Sequence, residues 1–155
     1  MNYSDLVKNQ RKVRSQAGED GVLDYIFSNI KTNSKFFIEF GENGQFNPSN
    51  TYNLVKHGWY GLYFGKDPLK EGIVHKEFIT AENINDIFSK YNTPYEFDVL
   101  SIDIDGNDYW VWKAIEEVFP RIVIIEYNSI FGDQFSVTIP YQDDFSRASA
   151  HYSNL

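Results

Sequence analysis

The sequence predicts an α/β protein built on a parallel sheet. Three observations carry that reading. Segments of strand character alternate with segments of helical spacing five times along the chain, the pattern of a parallel sheet with right-handed crossovers. The segment Arg121 to Tyr127 (Arg-Ile-Val-Ile-Ile-Glu-Tyr) is nearly continuously apolar, as expected of a strand covered on both faces. Finally, the expected strands end in acids: Glu39, Asp103 and Glu126, with Asp67 just beyond the second. Ligands in such sheets sit at the carboxyl ends of the strands, where strand order reverses, so these acids should converge on one edge.

Taken in order, Met1 to Arg14 is polar and mixed in charge and reads as a flexible N-terminal arm, with 15–155 as a single domain. Ser15 opens Ser-Gln-Ala-Gly-Glu-Asp-Gly, after which Val22, Leu23, Ile26, Phe27 and Ile30 recur at helical spacing. Glu19 and Asp20 suit the first turn of that helix. Lys35 to Phe40 is a short apolar strand running into Gly41. A loop with Asn43 and Gly44 follows, then a helix from Asn50 to His57, capped by Ser49 and closed by Gly58. The glycines let backbone approach a ligand, although the full phosphate-binding glycine fingerprint is not present. Trp59 to Phe64 makes a second strand and Lys76 to Ile79 a small third. Ile84, Ile87, Phe88 and Tyr91 form the apolar face of the next helix. A strand over Phe97 to Ile104 delivers Asp103, Asp105 and Asp108 to one turn. The helix after it carries Val111, Ala114, Ile115 and Val118 and is expected to end at Pro120. Beyond the fifth strand the sequence is loop-like, with one strand-like patch over Phe135 to Ile139.

Composition narrows the function. In 155 residues, 42% are hydrophobic, which argues for a packed core rather than disorder. The net charge of -8 argues against nucleic acid or an anionic membrane as partner. There is no cysteine, hence no disulfide framework or thiolate metal site. No apolar run reaches the length of a membrane span, and a cytoplasmic protein is expected. His57, His75 and His151 are scattered without the spacing of a metal site or a triad. Trp110 and Trp112 suit packing better than a groove.

Four stretches resemble one family. Ser15-Gln16-Ala17-Gly18-Glu19-Asp20-Gly21 is the first. Glu39-Phe40-Gly41 followed by Ser49-Asn50-Thr51-Tyr52-Asn53-Leu54 is the second. Ser101-Ile102-Asp103-Ile104-Asp105-Gly106-Asn107-Asp108-Tyr109-Trp110 is the third and most specific, and Ile124-Ile125-Glu126-Tyr127-Asn128 is the fourth. Together they resemble the class I S-adenosylmethionine-dependent methyltransferases, in particular the FkbM-like group. The resemblance implies a three-layer Rossmann-like sheet of order 3-2-1-4-5, lacking the family's final antiparallel strand pair because the sequence stops at Leu155. The fifth strand would then be an edge that a homodimer would cover.

The resemblance also implies how S-adenosylmethionine would lie. Its methionine end would sit over Glu39, Gly41, Asn43 and Gly44 with Asp103 close by, its adenine near Asn83, and its ribose hydroxyls at an acid ending the second strand. That strand ends Phe64-Gly65-Lys66-Asp67 here, so Asp67, two residues on, is the nearest acid. The activity implied is O-methylation of a small-molecule or sugar (glycan) hydroxyl, with Asp105, Asp108 and Glu126 as candidate bases or acceptor contacts. Helix capping or a salt bridge is the alternative for each. Two other readings stay open. Gly65 and Gln45, which depart from the family pattern, motivate a catalytically inactive binding or assembly module. Asp103-Ile104-Asp105 could hold a hard divalent cation, since alternate side chains of a strand share a face, but the tripeptide is common and no metal is expected.

Overall fold

The structure is a computed structural model and describes residues 1–70, 72–127, 132 and 136–145. A five-stranded sheet of order β3-β2-β1-β4-β5 organises it. The strands are β1 (Phe36–Phe40), β2 (Tyr60–Gly65), β3 (Val74–Lys76), β4 (Glu96–Ile102) and β5 (Phe119–Ile125). Every pairing among them is parallel: Glu39 lies opposite Tyr63 on one side and Ser101 on the other, and Ile102 lies opposite Ile125. The order reverses at β1 and β4, so the crevice between their carboxyl ends is the switch point.

Helices cover both faces. Helices α4 (Ile84–Lys90) and α5 (Asp108–Ala114) press Ile84, Ile87, Phe88 and Val111 onto Ile38, Phe40, Phe64, Leu100 and Ile102. On the other face, α2 (Glu19–Asn29) and α3 (Tyr52–Val55) bring Leu23 and Leu54 against Phe37, Tyr63 and Val99. All five residues of β1 are buried, as a strand covered on both sides requires. Each fully buried Phe there contributes roughly 1.5–3 kcal/mol from apolar burial. The edge strand β5 is thinner cover: Ile122 to Ile125 are only half-buried.

Several expected boundaries shift, for physical reasons. The expected loose arm contains a helix, α1 (Tyr3–Lys8), with a reciprocal capping box between Asn2 and Asp5. The chain after it is fastened by Asp20, whose Oδ2 accepts from the N–H groups of Val13, Arg14 and Ser15 at 2.7–2.8 Å and from the Ser15 hydroxyl. Burial pushes the Asp20 carboxyl up, but these bonds outweigh it and hold it below 3.8. Asp20 therefore ties the N-terminal segment to α2 in addition to lying in its first turn. The helix expected over Asn50 to His57 is regular only from Tyr52 to Val55. The third strand lies at Val74–Lys76 rather than Lys76 to Ile79, because its pairing with Tyr63, Phe64 and Gly65 ends at Lys76. Pro120 does not end α5, which stops at Ala114. It lies in β5 opposite Phe97, at the edge position where a residue without an N–H is tolerated. Residues 136–139 are not a strand, and Phe135 lies outside the described residues.

The opening of the sheet at the other end depends on Asp98. It is fully buried in β4 and accepts from the N–H groups of Asn33, Ser34 and Lys35 and from the Arg121 guanidinium, the last at 2.6 Å. This acid fixes the entry to β1 and the position of β5, at the sheet edge opposite the expected site.

No described helix is long and apolar enough to cross a membrane.

Candidate functional site

The floor of the site is a crossing of backbones. Beyond β1 the chain turns at Gly41, whose φ of +91° favours glycine. The N–H groups of Gly41 and Glu42 both donate to the carbonyl of Phe64, at 2.9 and 3.1 Å. A Cβ at Gly41 would stand 1.7 Å from the Asp103 carbonyl oxygen, and one at Gly65 would stand 2.1 Å from the Glu42 carbonyl oxygen. The loop after β1 therefore lies against the ends of both β4 and β2, and neither glycine has room for a side chain.

Above this crossing is a cleft of about 620 Å³. Gly41, Asn43, Asp67, Asp103 and Asp105 line it. Phe64, Phe78 and Ile79 give it an apolar shelf, and Lys66 reaches over that shelf with its Nζ 5.0 Å from the Phe78 ring centroid. Asp67 is 75% exposed at its side chain and 3.4 Å from Lys76 Nζ, so it faces solvent and a cation.

The remaining expected residues lie behind the cleft or beside it. Glu39 is buried and accepts from the Ser49 hydroxyl and the Asn50 N–H, both at 2.8 Å, and from the N–H and hydroxyl of Thr51. Burial pushes its carboxyl up, and these bonds oppose that. Glu39 pins the start of α3 beneath the loop. Gly44, at φ +93°, packs on Lys70 outside the lining. Asn83 ties the turn that carries Phe78 and Ile79: its Oδ1 accepts from Thr80 N–H and its Nδ2 donates to the Phe78 carbonyl, both at 2.8 Å. Asp108 accepts from the N–H groups of Ile104 and Gly106, each at 2.8 Å, and burial raises its carboxyl above 3.8 against them. It folds the turn after β4 through residues that precede α5, which is neither the helix cap nor the salt bridge that was the alternative for it.

Asp103, Asp105 and Glu126 come together. One carboxylate oxygen from each lies within 4.8 Å of the others. Adjacent strands produce this: the Glu126 N–H donates to the Ile102 carbonyl, which sets Glu126 beside Asp103. Asp105, at φ +61°, then turns back toward them. Three hard oxygen donors at this spacing suit an alkaline-earth-type cation.

The sequence reading missed several lining residues. Glu77 lines the cleft, but its carboxylate is taken up by Lys90 at 2.5 Å and the Tyr91 hydroxyl at 2.8 Å, and the Lys90 bond chiefly holds it below its ordinary value. Glu42, Lys66, Phe78, Ile79, Asn107 and Phe145 were missed as well. The shift of β3 to Val74–Lys76 is what frees residues 77–79 to line the cleft, and a boundary error of that size hides them. Phe145 reaches the cleft from far along the sequence, for which no local pattern exists.

Comparison with protein-family models, with curated proteins and with solved structures finds no match.

Proposed function

We propose that this chain binds S-adenosylmethionine in the cleft and transfers its methyl group to a hydroxyl of a small molecule or sugar. The carrying observation is the cleft itself: about 620 Å³, within the range of roughly 300–1,000 Å³ typical of ligand sites, open at the β1/β4 switch point with acids on one side and an apolar shelf on the other. The third of the four resembling stretches supplies Asp103 and Asp105 among those acids.

The residues around Gly41 fit the methionine end. Gly41 and Asn43 hold the loop low enough for a ligand to lie on it, and Asp103 stands beside it to meet a cationic group. The ribose end fits less well, because the Gly65 contact leaves no place for an acid at the end of β2. When bound, S-adenosylmethionine supplies an electrophilic methyl carbon. The protein's part is to hold the acceptor oxygen in line with that carbon and to take the hydroxyl proton as the new O–C bond forms and the C–S bond breaks. In this reading Asp105, which lines the cleft, takes the proton, with Glu126, whose carboxylate lies within 4.8 Å of it, as the other candidate, and the two backbone bonds of Asp108 assign it to the turn.

The Gly65 contact favours a second reading, a binding module that keeps the fold without the transfer activity. Isothermal titration with S-adenosylmethionine separates the two. The first reading expects saturable binding at micromolar Kd, about 8 kcal/mol of binding free energy. A folded sample that shows no binding refutes it and leaves the second.

A further inference from the structure

Residues 136–145 cross from one helix start to another, held at each. The Trp110 indole N–H donates to the Ile139 carbonyl at 2.8 Å, and the Asn107 amide donates to the Gln142 carbonyl. At the other side, the Ala81 N–H donates to the Tyr141 hydroxyl at 3.3 Å, and that hydroxyl donates to Glu82. Trp110 and Tyr141 also meet edge to face, with centroids 6.3 Å apart. The segment thus bridges the turn after β3 and the turn after β4, the two loops that wall the cleft on its α4/α5 side. Its last described residue is Phe145, whose ring lines the cleft and lies on Gly106: a Cβ there would stand 2.2 Å from Phe145 Cε1.

We propose that residues 136–145 are a strap that closes this side of the cleft, clamped by Trp110, Asn107 and Tyr141, and that it lifts, carrying Phe145 off Gly106, to let a ligand in and out. Among the described residues the anchors are mostly of side chain to main chain. Such contacts can break without disturbing the ladders of the sheet, and closure over a site excludes water from it. The Phe145 ring packs on Gly106 at the cleft wall, and lifting the strap would displace it. The strap stands on these contacts alone. Only the choice of probe rests on the methyltransferase reading.

The test uses the whole chain, Trp110→Phe, which removes the indole donor and keeps an aromatic ring, and Gly106→Ala, which leaves the anchors and displaces Phe145. Two readouts need no ligand: the rate of chymotryptic cleavage after Tyr141, and the rate of carbodiimide-driven amidation of Asp103, which is half-buried in the wall of the cleft. Both rates are expected to rise several-fold in each variant, with thermal unfolding showing that the sheet is intact. Rates equal to those of the unaltered chain in both variants overturn the strap. S-adenosylhomocysteine is then added. Binding seen by calorimetry with slowed cleavage and amidation supports closure over the ligand. Binding that leaves both rates unchanged overturns the gating. Failure of the unaltered chain to bind this probe counts against the methyltransferase reading, while the ligand-free rates still decide the strap.

Discussion

Gly41→Ala tests whether the crossing of backbones holds the site together. Two costs arise. The first is conformational: at φ +91° a residue with a Cβ is strained by about 1–2 kcal/mol. The second is steric: the new Cβ would lie 1.7 Å from the Asp103 carbonyl oxygen, so the ends of β1 and β4 must part, an overpacking cost of about 1–3 kcal/mol. Gly58→Ala isolates the first cost, because Gly58 has φ +77° but nothing within 4 Å of the added Cβ. A loss of about 3 kcal/mol corresponds to a fall in Tm of about 6–12 °C in a chain of this size, against about 2–4 °C for a loss of about 1 kcal/mol. Circular dichroism melts of the two variants and the unaltered chain measure the difference. The reasoning fails if Gly41→Ala melts within about 2 °C of Gly58→Ala, because relaxation at the strand ends would then absorb a contact that the magnitudes above treat as rigid.

Two further variants probe the frame. Burial raises the Asp98 carboxyl, but the N–H groups of Asn33, Lys35 and Ser34 and the Arg121 guanidinium outweigh burial and hold it below 3.8. Its stabilising effect is therefore fully present above about pH 4, the ordinary unfolded value, and is lost as pH falls through the depressed value. Asp98→Asn is expected to cost about 3–5 kcal/mol at pH 7, with the gap to the unaltered chain narrowing in urea unfolding as pH falls below that point; a gap that is constant with pH contradicts the assignment. Gly65→Glu places an acid at the end of β2 but drives its Cβ onto the Glu42 carbonyl at 2.1 Å. We expect about 1–3 kcal/mol of destabilisation and no gain in affinity for S-adenosylmethionine by calorimetry. An unchanged melt together with tighter binding would show that the loop after β1 can move aside.

Local signals in the sequence were enough to set out the architecture. Alternating strands and helices, apolar runs and glycine-terminated turns are written in neighbouring residues. The order 3-2-1-4-5 implied by the resemblance is the order in the structure. The acids at the strand ends were legible for the same reason, since a strand's last residue reveals which edge it reaches. What each acid does was not legible, because that depends on partners distant in sequence. Glu39 lies one residue before the end of β1, and Asp103 directly follows the end of β4. Yet Glu39 is buried under donors from residues 49–51, while Asp103 lines the cleft with Asp105 and gathers with Asp105 and Glu126.

The glycines divide in the same way. Gly65 reads from sequence as an acid replaced by glycine. In three dimensions it is a position where the Glu42 carbonyl leaves room for nothing larger. Residues 136–145 form neither strand nor helix, although 136–139 read as strand-like, and among the described residues their tethers to Trp110, Asn107 and Ala81 bring Phe145 to the cleft. Sequence by itself determined the layers and the edge at which chemistry would gather, because hydrophobic period and turn chemistry are local properties. Tertiary structure alone decided which acids face the cleft and which are used up in holding loops, because burial and hydrogen-bond partners exist only once separate strands lie side by side.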